Sequence, residues 1–246
     1  MRRIPLENRL IGRIRESGAI YTLQIILNDH VPDSVWRGQK VTIWARHLKD
    51  ADADIPLDGR FRWADVSDTD LLRRAGFSAD DLQARFAASC RAAILEEGGE
   101  LLAASWYLPA RPQPWEYAWF EFDLPQSAMW NFDVWVSPPH RGKGIGGRMI
   151  AFAHAKLREA GRDSVYCTID WLNRNSKTMF GKAGYRPVGE FLFIKLFGFM
   201  LLRTENALRW GRLRPEARFF VPLHHEFVGP EAVAQPHFPG QRPHVR

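Results

Sequence analysis

Apolar residues recur along the chain at two spacings, one typical of helices and the other of strands. The strongest helical pattern covers residues 145–160, where apolar side chains fall on one face at three- and four-residue intervals. Gly161 follows at the position where a left-handed residue would end this helix. Shorter helices are predicted at residues 67–75, 78–88 and 176–183. The first two open with an S-x-x-D capping pattern that begins at Ser67 and at Ser78.

Runs rich in β-branched and aromatic residues predict strands around these helices. The clearest is a hairpin whose strands, 92–97 and 100–107, are joined by the turn Gly98-Gly99. The other predicted strands are residues 19–27, 39–46, 60–64, 116–123, 129–136, 164–169, 185–196 and 199–203. Together these patterns favour a mixed α/β fold in which helices flank a sheet.

Composition divides the chain into three zones. Residues 1–58 hold a predicted amphipathic helix (6–14) and end in an acidic loop with Pro56, and we expect them to pack on the core as an N-terminal extension. Residues 59–205 carry the mixed helix and strand signals of one domain. Residues 206–246 form a basic, proline-rich tail, and its last fifteen residues are expected to be disordered.

Composition and charge narrow the class of protein. Of 246 residues, 46% are hydrophobic and 25% charged, as in an ordinary globular protein. The longest apolar stretch, residues 191–202, contains Lys195 and is shorter than the roughly 20 residues that a membrane span needs. The net charge is +6, but no basic run occurs, so nucleic acid ranks last among the partners. A cofactor with several phosphates fits this charge equally well.

Cysteine usage indicates a reducing compartment and no metal site. Cys90 and Cys167 have no cysteine or histidine at metal-ligand spacing. Isolated thiols of this kind are typical of the cytoplasm, where they need no partner. We therefore predict a cytoplasmic protein that binds no metal.

The most informative segment, residues 134–149, takes a predicted strand through a glycine-rich loop into the long helix. Backbone amides at a helix N-terminus are unpaired, and the helix dipole favours negative charge there. Glycines let a phosphate approach the backbone closely. Arg141 and Lys143 add positive charge. The loop is therefore predicted to hold a phosphate or pyrophosphate.

The same glycines also match a dinucleotide-binding pattern. Gly142, Gly144 and Gly147 fit G-x-G-x-x-G, and Asp170 stands where a ribose-binding acid is expected. We disfavour this interpretation because five residues, two of them prolines, separate the strand from Gly142. Too little chain follows Asp170 for the second half of such a sheet, and no P-loop motif occurs.

Two motifs, in this order, resemble the GNAT superfamily of acyl-CoA-dependent N-acetyltransferases. The family's loop pattern R/Q-x-x-G-x-G/A is met by Arg141, Gly144 and Gly146. A second pattern, N-x-x-A/S-x-x-L/M-Y/F-x-K-x-G-F/Y, is met by Asn173, Ser176, Met179, Phe180, Lys182, Gly184 and Tyr185. The resemblance covers about residues 59–205.

The resemblance implies a GNAT-like fold and a binding mode for acetyl-CoA or another acyl-CoA. Strands 129–136 and 164–169 would splay apart after a bulge, and the pantetheine arm would fill the gap. The backbone contacts to the arm would come from Val134, Trp135 and Val136. The pyrophosphate would be held by the amides of Arg141, Gly142, Lys143, Gly144, Ile145 and Gly146. Asn173 would touch the cofactor or pin the splayed strand.

The resemblance also implies attack of an amine, on a small molecule or a peptide, at the thioester. Asp133 is the leading candidate for the base that takes the amine proton, and Glu121 and Asp123 on the strand predicted beside it are alternatives. The tyrosine that serves as acid in many family members is Phe180 here, which has no proton to give. Ser176 is a substitute, and a water, or no acid at all, are further alternatives.

Several interpretations stay open. A tryptophan-rich segment, Trp106, Trp115, Trp119, Trp130 and Trp135, favours a longer acyl-CoA or an acyl-carrier thioester, although aromatic residues usually fill cores. Phe180 favours a non-catalytic acyl-CoA sensor or scaffold. Residues 191–202 are either a buried hairpin or an edge that faces a membrane or the partner in a homodimer.

Overall fold

The computed structural model describes residues 26–28, 30–32, 35–48, 60–111, 120–212, 219–221 and 223. The strands are β1 (Trp36–His47), β2 (Phe61–Trp63), β3 (Arg91–Glu97), β4 (Glu100–Pro109), β5 (Phe120–Phe122), β6 (Met129–Val136), β7 (Ser164–Asp170), β8 (Arg186–Leu196), β9 (Phe199–Thr204), β10 (Leu208–Arg212) and β11 (Phe219–Val221). The helices are α1 (Thr69–Arg74), α2 (Ala79–Ala87), α3 (Ile145–Glu159) and α4 (Arg174–Lys182). Short 3-10 turns cover Val66–Asp68 and Pro138–His140. The predicted helix 6–14, the loop 50–58 and the last fifteen residues lie outside the described residues.

Nine strands form one mixed sheet in the order β10-β9-β8-β1-β7-β6-β4-β3-β2. Every neighbouring pair is antiparallel except β6 and β7, which run parallel. Strands β5 and β11 pair in a separate two-stranded parallel sheet. The predicted mixed α/β fold with flanking helices is therefore confirmed.

Two layers of buried side chains lie on opposite faces of the large sheet. One layer joins β1, β4, β6 and β8 to α1, α2 and β5. The other joins the sheet to α3 and α4. Phe120 of β5 packs against Phe191 and Phe193 of β8 with tilted rings, whose centroids are 5.2 and 5.3 Å from its own. Strand β5 therefore covers the sheet from above and is not one of its members.

Strand β1 lies inside the sheet, between β7 and β8, although composition placed it in an N-terminal extension. Val41, Ile43 and Ala45 on this strand are fully buried. The strand predicted at residues 39–46 is confirmed, and it joins the same sheet as the predicted domain. The predicted strand 19–27 is wrong at its end, because Ile26 and Leu27 are helical, and its earlier residues lie outside the described ones.

The helix starts follow local capping chemistry. Ser78 caps α2, since its hydroxyl accepts a hydrogen bond from the amide of Asp81 at 3.1 Å, as predicted. The capping box before α1 is displaced by two residues from the predicted one. Asp65 accepts from the amide of Ser67, and Asp68 accepts in return from the amide of Asp65.

The proline-rich zone also contributes to the sheets. Strand β10 extends the large sheet at its edge, and β11 pairs with β5. Among the described helices, none has both the length and the apolar character that a membrane crossing requires.

Candidate functional site

Strands β6 and β7 separate soon after they meet. Their register pairs are Met129 with Val165 and Trp130 with Tyr166, and none follows among the described residues. Ala104 of β4 pairs with Trp135 of β6, and Trp106 pairs with Phe132. Two residues of β4 thus span the same distance as three of the antiparallel β6, so β6 carries one extra residue. Asp133, within this bulge, has a φ of +47°. The predicted splay after a bulge is confirmed.

The splay opens a cavity of about 310 Å³ between the two strands. It is lined by residues of β1, β6, β7 and α4, namely Gln39, Val41, Asn131, Phe132, Asp133, Val134, Cys167, Thr168, Ile169, Asp170, Asn173, Ser176 and Phe180. Of the residues predicted to catalyse or to bind the cofactor, four therefore meet here: Asp133, Val134, Asn173 and Ser176. Asp170 and Phe180, which the sequence analysis also names, line the same cavity. Sequence reasoning missed the contribution of β1, because nothing local signals that a strand so far away in the chain lies beside β7.

Asn131 brings an unpartnered acceptor to this cavity. Its amide nitrogen donates to the Ser105 hydroxyl at 2.7 Å and to the Trp106 carbonyl at 3.0 Å. The side chain is buried, and its oxygen Oδ1 has no hydrogen-bond partner. A buried acceptor left without a donor is costly, so this position favours a ligand or a water that donates to it. The signal in the sequence is a lone amide inside the apolar strand run MWNFDVWV.

The glycine loop turns from β6 into α3. The Arg141 side chain donates from Nε to the Val136 carbonyl at 3.1 Å, which ties the loop to the end of the strand. Gly142 and Gly144 both have left-handed φ values, +77° and +74°. Gly144 is the N-cap of α3, and no side chain caps this helix start, so its first amides remain available to an anion.

Gly146 serves the packing of two helices as well as the loop. A Cβ at this position would lie 2.7 Å from the Met179 sulfur of α4 and 3.7 Å from a methyl of Val136. The glycine thus lets the start of α3 approach α4 and the end of β6. The structure also supports the argument against a dinucleotide site, since a 3-10 turn at Pro138–His140 separates β6 from the first glycine.

Asp133 forms an ion pair with a buried arginine. Oδ2 of its carboxylate accepts from Nη2 of Arg85, and the same nitrogen donates to Asp81 at 3.2 Å. The guanidinium lies over the rings of Trp106, Phe132 and Phe77, at 4.9, 5.2 and 5.5 Å from their centroids. The arginine therefore holds Asp133 in place at the bulge.

The end of the cavity at α4 contains the second motif. Asn173 caps α4, because its side-chain oxygen accepts from the amide of Ser176 at 3.0 Å. Phe180, at the position of the family's tyrosine, is buried edge-on against Tyr185 with centroids 4.9 Å apart. This ring can fill the end of the cavity but cannot supply a proton.

A buried pair lies beneath Phe180. The Tyr185 hydroxyl and His154 Nε2 are 2.8 Å apart. Burial, helped by the nearby charge of Arg46, lowers the pKa of His154 to about 3, and burial raises the pKa of Tyr185. Both groups are therefore neutral at physiological pH, and they join α3 to the start of β8 as a structural contact.

The structure changes one predicted assignment and agrees with the core interpretation of two tryptophans. Glu121 does not lie on a strand beside β6, because β4 and β7 occupy both neighbouring places in the sheet. It lies on β5, is exposed and does not line the cavity. Trp106 and Trp130 are fully buried core residues, and Trp135 is half-buried. Trp115 and Trp119 lie outside the described residues.

The cysteines and acidic groups give no sign of a metal centre in the described part of the chain. No three histidine, cysteine or carboxylate side chains there are grouped so as to hold an ion. Cys90 and Cys167 are both free and buried, and burial raises the pKa of the Cys90 thiol to about 11. The thiols are thus protonated.

Comparison with known proteins identifies a family. The model of the acetyltransferase (GNAT) family matches residues 59–185. A search of the curated proteins finds no match. Among solved structures, a Novosphingobium aromaticivorans protein described as a GNAT-family acetyltransferase is 15% identical over 69% of this chain and 66% of its own, with a TM-score of 0.47. A GCN5-related N-acetyltransferase from Sphaerobacter thermophilus is 12% identical over 75% of this chain, with a TM-score of 0.47.

This chain spans only 66% and 56% of the length of those two proteins. The family match is independent of them, and it contains the bulged strand, the glycine loop, α3, β7 and α4. Because that match extends over more than half of the sequence, the chain belongs to the GNAT family of acetyltransferases.

Proposed function

We propose that this chain transfers an acetyl group from acetyl-CoA to a primary amine by direct attack on the thioester. One observation carries the proposal: the cavity between the splayed strands lies directly before a loop whose helix start has free amides. A ligand with a narrow arm and a pyrophosphate fits this combination. Family membership supports the transfer of an acetyl group.

The arm of acetyl-CoA would lie between β6 and β7. The backbone of Val134, Trp135 and Val136 would pair with its amides as an added strand does. Asn131 Oδ1 would accept from one amide N–H of the arm, which would satisfy the buried oxygen. The pyrophosphate would meet the amides of the loop and of the first turn of α3, with charge from Arg141 and Lys143.

The reaction needs one proton removed and one supplied. The amine nitrogen attacks the thioester carbon, the C–S bond breaks, and CoA leaves as a thiolate. Asp133, at the bulge and in the cavity, takes the proton from the amine. An amide near Val136 would stabilise the oxyanion. Phe180 has no ionisable proton to donate. A water would therefore protonate the thiolate, and Ser176 would be a polar contact nearby.

Native mass spectrometry with a chain-length series of acyl-CoAs tests this function. We expect the folded protein to bind acetyl-CoA and to release free thiol when a matching amine from a broad panel is added. Binding that tightens steadily with chain length would move the assignment to a longer acyl donor. Tight binding without thiol release from any amine would indicate a sensor, and no binding at all would refute the proposal.

Replacing Asn131 with leucine tests the contact to the arm. Leucine has a similar shape but no acceptor, so we expect CoA affinity to fall about tenfold, the value of one buried hydrogen bond. Adenosine 3′,5′-bisphosphate, which has no pantetheine arm, is the matched control ligand, and its affinity should not change. Equal losses for both ligands, measured by calorimetry, would mean that the substitution disturbs the fold instead.

A further inference from the structure

One face of the large sheet leaves a band of apolar side chains open at its β10 edge. Residues paired directly across antiparallel strands project to the same side, and the register aligns alternate residues of three strands. We call this side the outer face. It consists of Leu192, Ile194 and Leu196 on β8, Phe199, Leu201 and Arg203 on β9, and Leu208, Trp210 and Arg212 on β10.

The exposure of the outer face is unusual for its residue types. Trp210 is 76% exposed, Leu208 64% and Phe199 50%. Phe197, in the turn between β8 and β9, is 70% exposed. On the opposite side of the same strands, Met200 and Leu202 are buried. A contiguous exposed apolar surface of this kind marks a binding surface more often than an isolated exposed residue does.

The charge on the outer face indicates what it can bind. Arg203 and Arg212 lie among the apolar side chains and are both exposed. Next to them on the sheet, the acidic Glu190 is already paired with Lys40 at 2.7 Å. The nine residues of the outer face therefore carry two positive charges and no negative one, and the exposed Glu205 follows β9 directly. In a symmetric pairing of two copies, the arginines of both copies would be brought into one interface, which is unfavourable.

We propose that the outer face docks on an anionic lipid surface. Exposed tryptophan and phenylalanine side chains are those that enter the interface of a bilayer, and arginines beside them attract anionic headgroups. Trp210 and Phe197 provide the insertion, and Arg203 and Arg212 provide the attraction. The proposed site of acetyl transfer lies on other strands, so the proposal of lipid docking does not depend on the proposed reaction.

Vesicle sedimentation of the full chain tests the proposal. We expect the protein to sediment with vesicles of phosphatidylcholine and phosphatidylglycerol, to remain in solution with phosphatidylcholine alone, and to be released by roughly 0.5 M salt. The double variant Arg203→Gln, Arg212→Gln should weaken binding by about fivefold for each arginine. The control is a second double variant, Arg73→Gln with Arg74→Gln, which removes the same two charges from α1. It should bind anionic vesicles more tightly than the outer-face variant does.

The apolar contribution is tested with Phe197→Ser and Trp210→Ser together. This variant should lose sedimentation even in low salt, whereas Val66→Ser, which removes a side chain that is also 70% exposed, should not. The proposal would be overturned if the unmodified protein failed to bind anionic vesicles. It would also be overturned if the two controls lost as much vesicle binding as the outer-face variants. A homodimer in sedimentation equilibrium that Trp210→Ser dissociates would also overturn it, because the outer face would then be a contact between two copies of the chain.

Discussion

Replacing Gly144 with valine is expected to weaken CoA binding by about 100-fold, the value of two lost charge-assisted hydrogen bonds. Gly144 has a φ of +74° at the N-cap of α3. A side chain branched at Cβ disfavours this conformation by on the order of 1–2 kcal/mol, so the backbone will rotate toward negative φ. The first amides of α3 would then no longer point together at the pyrophosphate. Calorimetry with CoA on the folded variant measures the loss.

The other end of α3 provides a matched control. Gly161 also has a φ of +74°, and no atom lies within 4 Å of a Cβ added at either glycine. Gly161→Val should therefore lower the free energy of unfolding about as much as Gly144→Val, and it should leave CoA affinity unchanged. Equal loss of affinity in both would assign the effect to a weakened helix. Normal affinity in Gly144→Val would show that the loop is not the phosphate site.

The parts of the site that follow one another in the chain could be predicted from sequence. The bulged strand, the glycine loop and α3 occupy residues 129–159 without interruption, and each has its own local signal. Asn173 and Ser176 likewise belong to one motif at the start of a helix. In these segments, phosphate binding and helix capping depend on the backbone conformation. Glycine, proline and capping residues indicate that conformation directly from the sequence.

The parts that depend on contacts distant in sequence could not be predicted. β1 enters the cavity with Gln39 and Val41 because it pairs with β7, more than a hundred residues later. A strand pattern indicates that a segment is extended but not which strand it joins. The same limit produced the error at Glu121, since a run rich in aromatic residues predicted a strand there and could not show that this strand lies over the sheet. Arg85 was missed because a helical arginine is ordinarily exposed.

Replacing Asp133 with asparagine is expected to lower kcat by about 10²–10⁴-fold, the usual contribution of a general base. Asparagine keeps the size of the side chain and one acceptor for Arg85, but it cannot take a proton from the amine. CoA affinity should stay within about twofold of the original, because the proposed contacts to the arm come from the strand backbone and from Asn131, and the Asp133 carboxylate makes none of them. Thiol release under saturating acetyl-CoA and amine gives kcat, and calorimetry gives the affinity.

Asp81 provides the control that separates catalysis from support of the arginine. Both carboxylates pair with Nη2 of Arg85, and the exposed fractions of their side chains are similar, 46% for Asp133 and 45% for Asp81. Only Asp133 lines the cavity. Asp81→Asn should therefore destabilise the fold about as much as Asp133→Asn and leave kcat nearly unchanged. If both substitutions lowered kcat alike, Asp133 would act by holding Arg85 and the bulge in place, and the amine would have to lose its proton to water.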